Sequence, residues 1–122
     1  MLDFEKRLSK ARRSNRPRYL RIKAVSLSDL GSFEADSIAV ALLRRITDEY
    51  PEIWHEVNCA HEKPGHIYQR EGNYAQSECQ YRIVVQSYNK SRIGTSGVCD
   101  LTLAELIVET KQQSNYSEAA DF

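Results

Sequence analysis

At 122 residues the chain is long enough for one hydrophobic core and too short for an enzyme with separate cofactor and substrate lobes. Its 41% hydrophobic and 28% charged residues are ordinary for a globular protein, which excludes global disorder and a fibrous repeat. Seventeen basic side chains balance seventeen acidic ones, but unevenly: residues 1–23 hold nine bases against Asp3 and Glu5, so this segment carries +7 and the remainder −7.

A basic run of this kind suits a polyanion or an acidic protein surface. Residues 2–14 predict a basic amphipathic helix, because Met1, Phe4, Leu8 and Ala11 recur at helical spacing while Lys6, Lys10 and Arg13 fall opposite. Asn15 and Pro17 are expected to end it, since the residue before a proline is pushed out of the α region. Residues 18–25 alternate, with Leu20, Ile22 and Ala24 on one side and Tyr19, Arg21 and Lys23 on the other, as a half-buried strand does. The basic surface is then expected to continue from helix to strand.

The strongest helical pattern lies at 33–50, where Ala35, Ile38, Ala39, Leu42, Leu43, Ile46 and Tyr50 form one apolar stripe. Ser32 suits its N-cap, and Glu34 and Asp36 suit the positive end of its dipole. Pro51 breaks it and can open a short second helix holding Ile53, Trp54 and Val57, while Ile53, Val57 and Cys59 also suit a strand. Residues 60–65 read as loop, 66–70 as a short strand, and Gly72 with Asn73 as a turn. Residues 79–88 read as a strand, because Cys79, Tyr81, Ile83 and Val85 alternate with Gln80, Arg82, Val84 and Gln86. A turn at Asn89, Lys90 and Ser91 leaves room for a return strand at 92–99. Thr102 and Glu105 form a capping-box pattern and Leu101 with Leu106 a hydrophobic staple, which predict a helix at 103–111. The polar tail, 112–122, reads as disordered.

These elements add up to an α+β fold: a small antiparallel sheet of three to four strands against two main helices, preceded by the basic amphipathic helix. The organisation expected is a helix at 1–17, a single domain at 18–111 and a tail at 112–122. From Phe33 onward the order of one helix, two or three strands and a closing helix resembles a double-stranded RNA-binding domain. In that family the final helix opens with phosphate-gripping lysines, whereas Val98-Cys99-Asp100-Leu101-Thr102 holds an aspartate and no base, so no residue roles carry over.

Every histidine in the chain lies within twelve residues of the others, with one cysteine among them: His55, Cys59, His61 and His66. Four such groups satisfy a tetrahedral zinc site if a loop brings them together, but their spacing matches no common finger, so they are read as ordinary side chains and no metal or cofactor is expected. Cys59 with a neighbouring histidine has no third orienting group, so a thiol nucleophile is not expected either. Phosphate loops, dinucleotide fingerprints, H-E-x-x-H and G-x-S-x-G are absent, and the chain reads as non-enzymatic.

The longest apolar run, 38–43, is six residues against the ~18 needed to cross a bilayer, and the start has no signal-peptide core. Three cysteines, an odd number, fit reduced thiols in the cytoplasm or nucleus of a protein that is not secreted. The function expected is binding of nucleic acid through Lys6, Lys10, Arg12, Arg13, Arg16, Arg18, Tyr19, Arg21 and Lys23, with arginine forks on phosphate and Tyr19 free to stack on a base. The alternative is a protein-interaction module, an adaptor, inhibitor or assembly subunit of viral or mobile-element kind, whose basic face meets an acidic protein or another copy of itself.

Overall fold

The computed structural model describes residues 2–88 and 95–120, with side chains as far as Lys111. Six helices follow one another in it: α1 (Leu2–Lys10), α2 (Arg16–Ser28), α3 (Phe33–Glu49), α4 (Trp54–Arg70), α5 (Tyr74–Ser87) and α6 (Cys99–Ala120), with a single 3₁₀ turn, Arg13–Asn15, between the first two. No strand occurs among the described residues, so the expected α+β fold with its antiparallel sheet is overturned in favour of an all-helical one. The resemblance to a double-stranded RNA-binding domain falls with the sheet.

Each misread segment has a local cause. Pro17 opens α2 instead of ending a helix, because in the first turn its missing N–H has no intrahelical acceptor to lose. Within α2 the buried pair is Leu20 and Ala24, one helical turn apart, while Ile22 between them stays 48% exposed. The alternation at 18–25 was therefore a helical i, i+4 pair with a surface residue added. In α5 the buried set is Ser77, Tyr81 and Val84, again at helical spacing, and Cys79 and Ile83 face outward. β-branched Ile83, Val84 and Val85 favoured a strand by propensity, and packing against α4 and α6 overrides it.

The loop expected at 60–65 and the strand at 66–70 are both part of α4, which runs through Pro64. Proline inside a helix costs about 3 kcal/mol, so something must offset it. The offset is the crossing with α5: the Tyr81 ring lies flat enough on Gly65 that a β-carbon there would sit 2.5 Å from its Cε1. Beside it the buried Ser77 hydroxyl donates to the Gly65 carbonyl at 2.8 Å. These two helix-breaking residues mark a close helix–helix contact.

The 33–50 helix is observed almost as expected, with Ser32 at its N-cap accepting from the Ala35 N–H at 3.1 Å. The Gly72 turn is present, with φ 82°. α6 starts at Cys99, so Thr102 lies inside it and its hydroxyl donates back to the Val98 carbonyl instead of capping. Residues 112–120, expected to be disordered, continue α6. The turn expected at 89–91 and the first residues of the return strand, 92–94, lie outside the described residues, and 95–98 hold no strand.

The helices pair in hairpins, α2 on α3 and α4 on α5, and the hairpins stack through α3 on α4, α2 on α4 and α5 on α6. One core forms where α2, α3 and α4 meet, around Leu20, Ala24, Leu43, Ile46 and Ile67, and α1 joins it through Leu8. A second forms between α5 and α6 around Tyr81, Val84, Cys99, Leu103 and Leu106. Buried carboxylates brace the joints: Asp36 accepts from Arg70 at 2.5 Å, Glu56 from Arg21 at 2.7 Å, and Glu62 from the Ser96 N–H and hydroxyl at 2.9 and 2.8 Å. None of the described helices is long and apolar enough to cross a membrane.

Candidate functional site: a basic-rimmed groove between the first two helices

α1 is a short amphipathic helix docked by few side chains. Leu8 is buried, Phe4 packs partly on the core, and Glu5 accepts from Arg45 of α3 at 2.6 Å. The chain then turns back into α2, and Arg16 fixes the turn by donating from Nε to the Ala11 carbonyl at 3.1 Å and from Nη2 to the Ser9 carbonyl at 3.2 Å. Those carbonyls end a helix and lack intrahelical donors, so a cation suits them doubly.

Between α1 and α2 this geometry leaves an open groove of about 520 Å³. Phe4, Leu8 and Ala11 form one wall and Tyr19 and Ile22 the other, while Arg7, Lys10 and Lys23 stand along the rim with Ser26. Tyr19 and Ile22 are 46% and 48% exposed, a large apolar area left open on α2. Such a surface offers burial in the middle and positive charge at the edge.

The nine residues expected to bind nucleic acid divide into two groups. Arg13, Arg16 and Arg21 hold internal partners. Arg13 donates to the Glu52 carboxylate at 2.6 Å and to the Glu49 carbonyl at 3.1 Å, and its guanidinium carbon sits 4.8 Å from the centre of the Tyr50 ring. The Glu52 carboxyl is held below its usual range by its own backbone N–H first and by Arg13 second. Arg21 grips Glu56 with two nitrogens, at 2.7 and 3.4 Å, and that hydrogen bond raises the already high pKa of the guanidinium. Of the five arginines expected at the site, Arg13 and Arg21 are thus folded onto the acidic body and Arg16 onto the end of α1.

Lys10, Tyr19 and Lys23 line the groove, and Lys6, Arg12 and Arg18 are exposed nearby, their side chains making no hydrogen bond to the described residues. Arg7 and Ile22 belong to the site and were not expected there. Arg7 was one base among nine, without a feature to single it out, and Ile22 had been placed on the buried face of a strand. Numbering 16–28 as a helix would have put Tyr19, Ile22, Lys23 and Ser26 on one side, at i, i+3, i+4 and i+7.

The histidine–cysteine cluster does not assemble. All four residues lie on α4, where His55 and His66, 11 positions apart, are separated by about 16 Å along the axis and His61 lies on another face. His61 Nδ1 is hydrogen-bonded with Gln80 Oε1 at 2.8 Å, the His55 ring is edge-on to Trp54, and the His66 ring is 5.6 Å from Tyr81. Cys59 is buried, and desolvation above all pushes its thiol upward, away from the reactive thiolate. Among the described residues no group of three or more His, Cys, Asp or Glu is placed to hold a metal ion. Comparison of the chain with protein families, with characterised proteins and with solved structures finds no match to any of them.

Proposed function

We propose that the chain is a helical-hairpin scaffold that binds a protein segment, apolar on one side and acidic on the other, in the groove between α1 and α2. The observation that carries this reading is the combination in one place of an apolar floor and a cationic rim, while Arg13, Arg16 and Arg21 are turned to internal partners. A phosphate backbone has nothing to bury against Phe4, Leu8 and Ile22. An amphipathic helix has, and its flanking carboxylates meet Arg7, Lys10 and Lys23.

The architecture supports the same reading. In the α4–α5 hairpin Gly65, Tyr68, Ser77 and Tyr81 follow the Gly-x2-Tyr … Ala-x3-Phe spacing of tetratricopeptide-type hairpins, with serine for alanine and tyrosine for phenylalanine. Stacked hairpins of that kind build extended binding surfaces. Nucleic acid is the competing partner, favoured by the exposure of Arg12 and Arg18 beside Tyr19.

Fluorescence anisotropy separates the two. A labelled amphipathic peptide, leucines on one face and glutamates on the other, is expected to bind, and Ile22→Glu is expected to weaken it about tenfold or more, the loss of roughly 1.5 kcal/mol of apolar burial. Oligonucleotide binding that falls about 10³-fold between 50 and 200 mM salt, with no binding of the peptide, overturns the reading in favour of phosphate contacts.

A further inference from the structure

α6 is apolar on two sides. Cys99, Leu103 and Leu106 recur at i, i+4 and i+7 and are buried against α5. Leu101, Ala104 and Val108 recur at i, i+3 and i+7, which places them on the opposite side of the helix, and they face outward: Leu101 is 62% and Val108 55% exposed. An exposed helix normally shows one apolar stripe and a polar back. Here the back carries a second stripe, and Glu105 and Glu109, both exposed, run along its edge. Lys111 is the lone base among the described side chains of this helix.

The groove and this face are complementary in both respects, apolar centre to apolar centre and cationic rim to carboxylate edge. Among the described residues α1 packs mainly on α2 and α6 on α5, and α1 and α6 do not form one of the packed helix pairs. Docking within one chain would require taking the stack apart. The charges point the same way: residues 1–23 carry +7, while the part of α6 with described side chains, 99–111, holds Asp100, Glu105 and Glu109 against Lys111 alone. A second copy of the chain therefore supplies the matching surface without any further component.

We infer that the groove between α1 and α2 receives the outer face of α6, Leu101, Ala104 and Val108 with Glu105 and Glu109, from a second copy, so that the protein associates head to tail. The inference rests on the groove reading above and names its occupant. The contact is heterologous, the groove of one copy and the α6 face of the next, and it either closes reciprocally as a dimer or continues as a chain.

Sedimentation velocity across a concentration series tests it on the full chain. The wild type is expected to sediment above monomer mass as concentration rises, and less so at high salt. Arg7→Glu with Lys10→Glu in one variant, and Glu105→Lys with Glu109→Lys in a second, are each expected to weaken association tenfold or more; all four residues are exposed, and circular dichroism verifies that the helices are retained. Mixing the two variants is expected to restore a complex, because the reversed groove then meets the reversed helix. Leu101→Asp is expected to abolish association with either partner.

A wild type that stays monomeric at every concentration overturns the inference; if the leucine–glutamate peptide still binds, the groove reading stands, and if it does not, both fall. Association that survives the groove variant but not the α6 variant also overturns it, by placing α6 against α6. A mixture of the two charge-reversed variants that remains monomeric has the same force.

Discussion

A missing methyl group at residue 65 sets how closely α4 and α5 approach. Exchanging a helical glycine for alanine ordinarily stabilises a helix by about 1 kcal/mol. At Gly65 the added carbon would meet Tyr81 Cε1 at 2.5 Å and Cδ1 at 2.8 Å, and that ring is fully buried with its hydroxyl held by Gln69 at 2.8 Å. Overpacking of this kind costs roughly 1–3 kcal/mol, so Gly65→Ala is expected to lower the urea midpoint, and adding Tyr81→Leu to recover part of the loss. A midpoint that rises in the single variant would show that α5 can give way. At this scale the sequence was legible where a residue acts on its neighbours, as Ser32 does on Ala35, and illegible where it acts at a distance. Nothing local to Arg13 or Arg21 marks Glu52 or Glu56 as its partner, because those pairs exist only once the α3–α4 turn lies beside the 3₁₀ turn and α4 has been brought across α2.

Among the elements, α3 was readable because its buried stripe is long, covering about three turns, and because its cap lies next to it in sequence. α2 and α5 were not, since segments of about eight to ten residues are too short to separate a period of 2 from one of 3.6 when one surface position is apolar. Ile22 and Ile83 were the residues that tipped each segment toward a strand; one lines the groove and the other lies open on α5. Pro64 and Gly65 misled for the opposite reason, being taken as punctuation when they are packing. The candidate site was half legible: the amphipathic pattern of α1 identified Phe4, Leu8 and Ala11, but the second wall depended on reading α2 as a helix. For α3 the cap carries a measurable share of stability. Ser32→Ala is expected to cost about 1 kcal/mol in chemical denaturation and Ser32→Asp to cost little, because a carboxylate accepts from the same N–H and suits the helix dipole. Equal losses in the two variants would mean that Ser32 acts in some other way than as a cap.

For the whole molecule, pH acts through groups that folding removes from water. Desolvation foremost pushes the Cys99 thiol from 9.0 to about 12 and the Tyr81 hydroxyl from 10.0 to about 12. The unfolded chain gives up these protons first, so across that window the folded state binds more of them and unfolding is favoured as pH rises. Stability is therefore expected to be fully present below pH 9 and to fall progressively toward pH 12, read as a declining melting temperature. A Cys99→Ala variant should keep only the part of the slope due to tyrosine. A wild-type melting temperature that holds level above pH 9 would mean that both groups reach solvent before the fold is lost.

The buried carboxylates at the joints share a sequence interval. Arg70 and Asp36 are 34 positions apart, Arg21 and Glu56 are 35, and Ser96 and Glu62 are 34. That interval is one hairpin with its turn, so each latch reaches the adjoining unit and no farther. A chain fastened in this way is modular: a hairpin could be added beyond α6 by duplication, or lost there, without breaking any latch on the α1 side. Its length is thus open to evolutionary change in whole units of one hairpin, while insertions inside a unit would pull the carboxylate and its partner out of step.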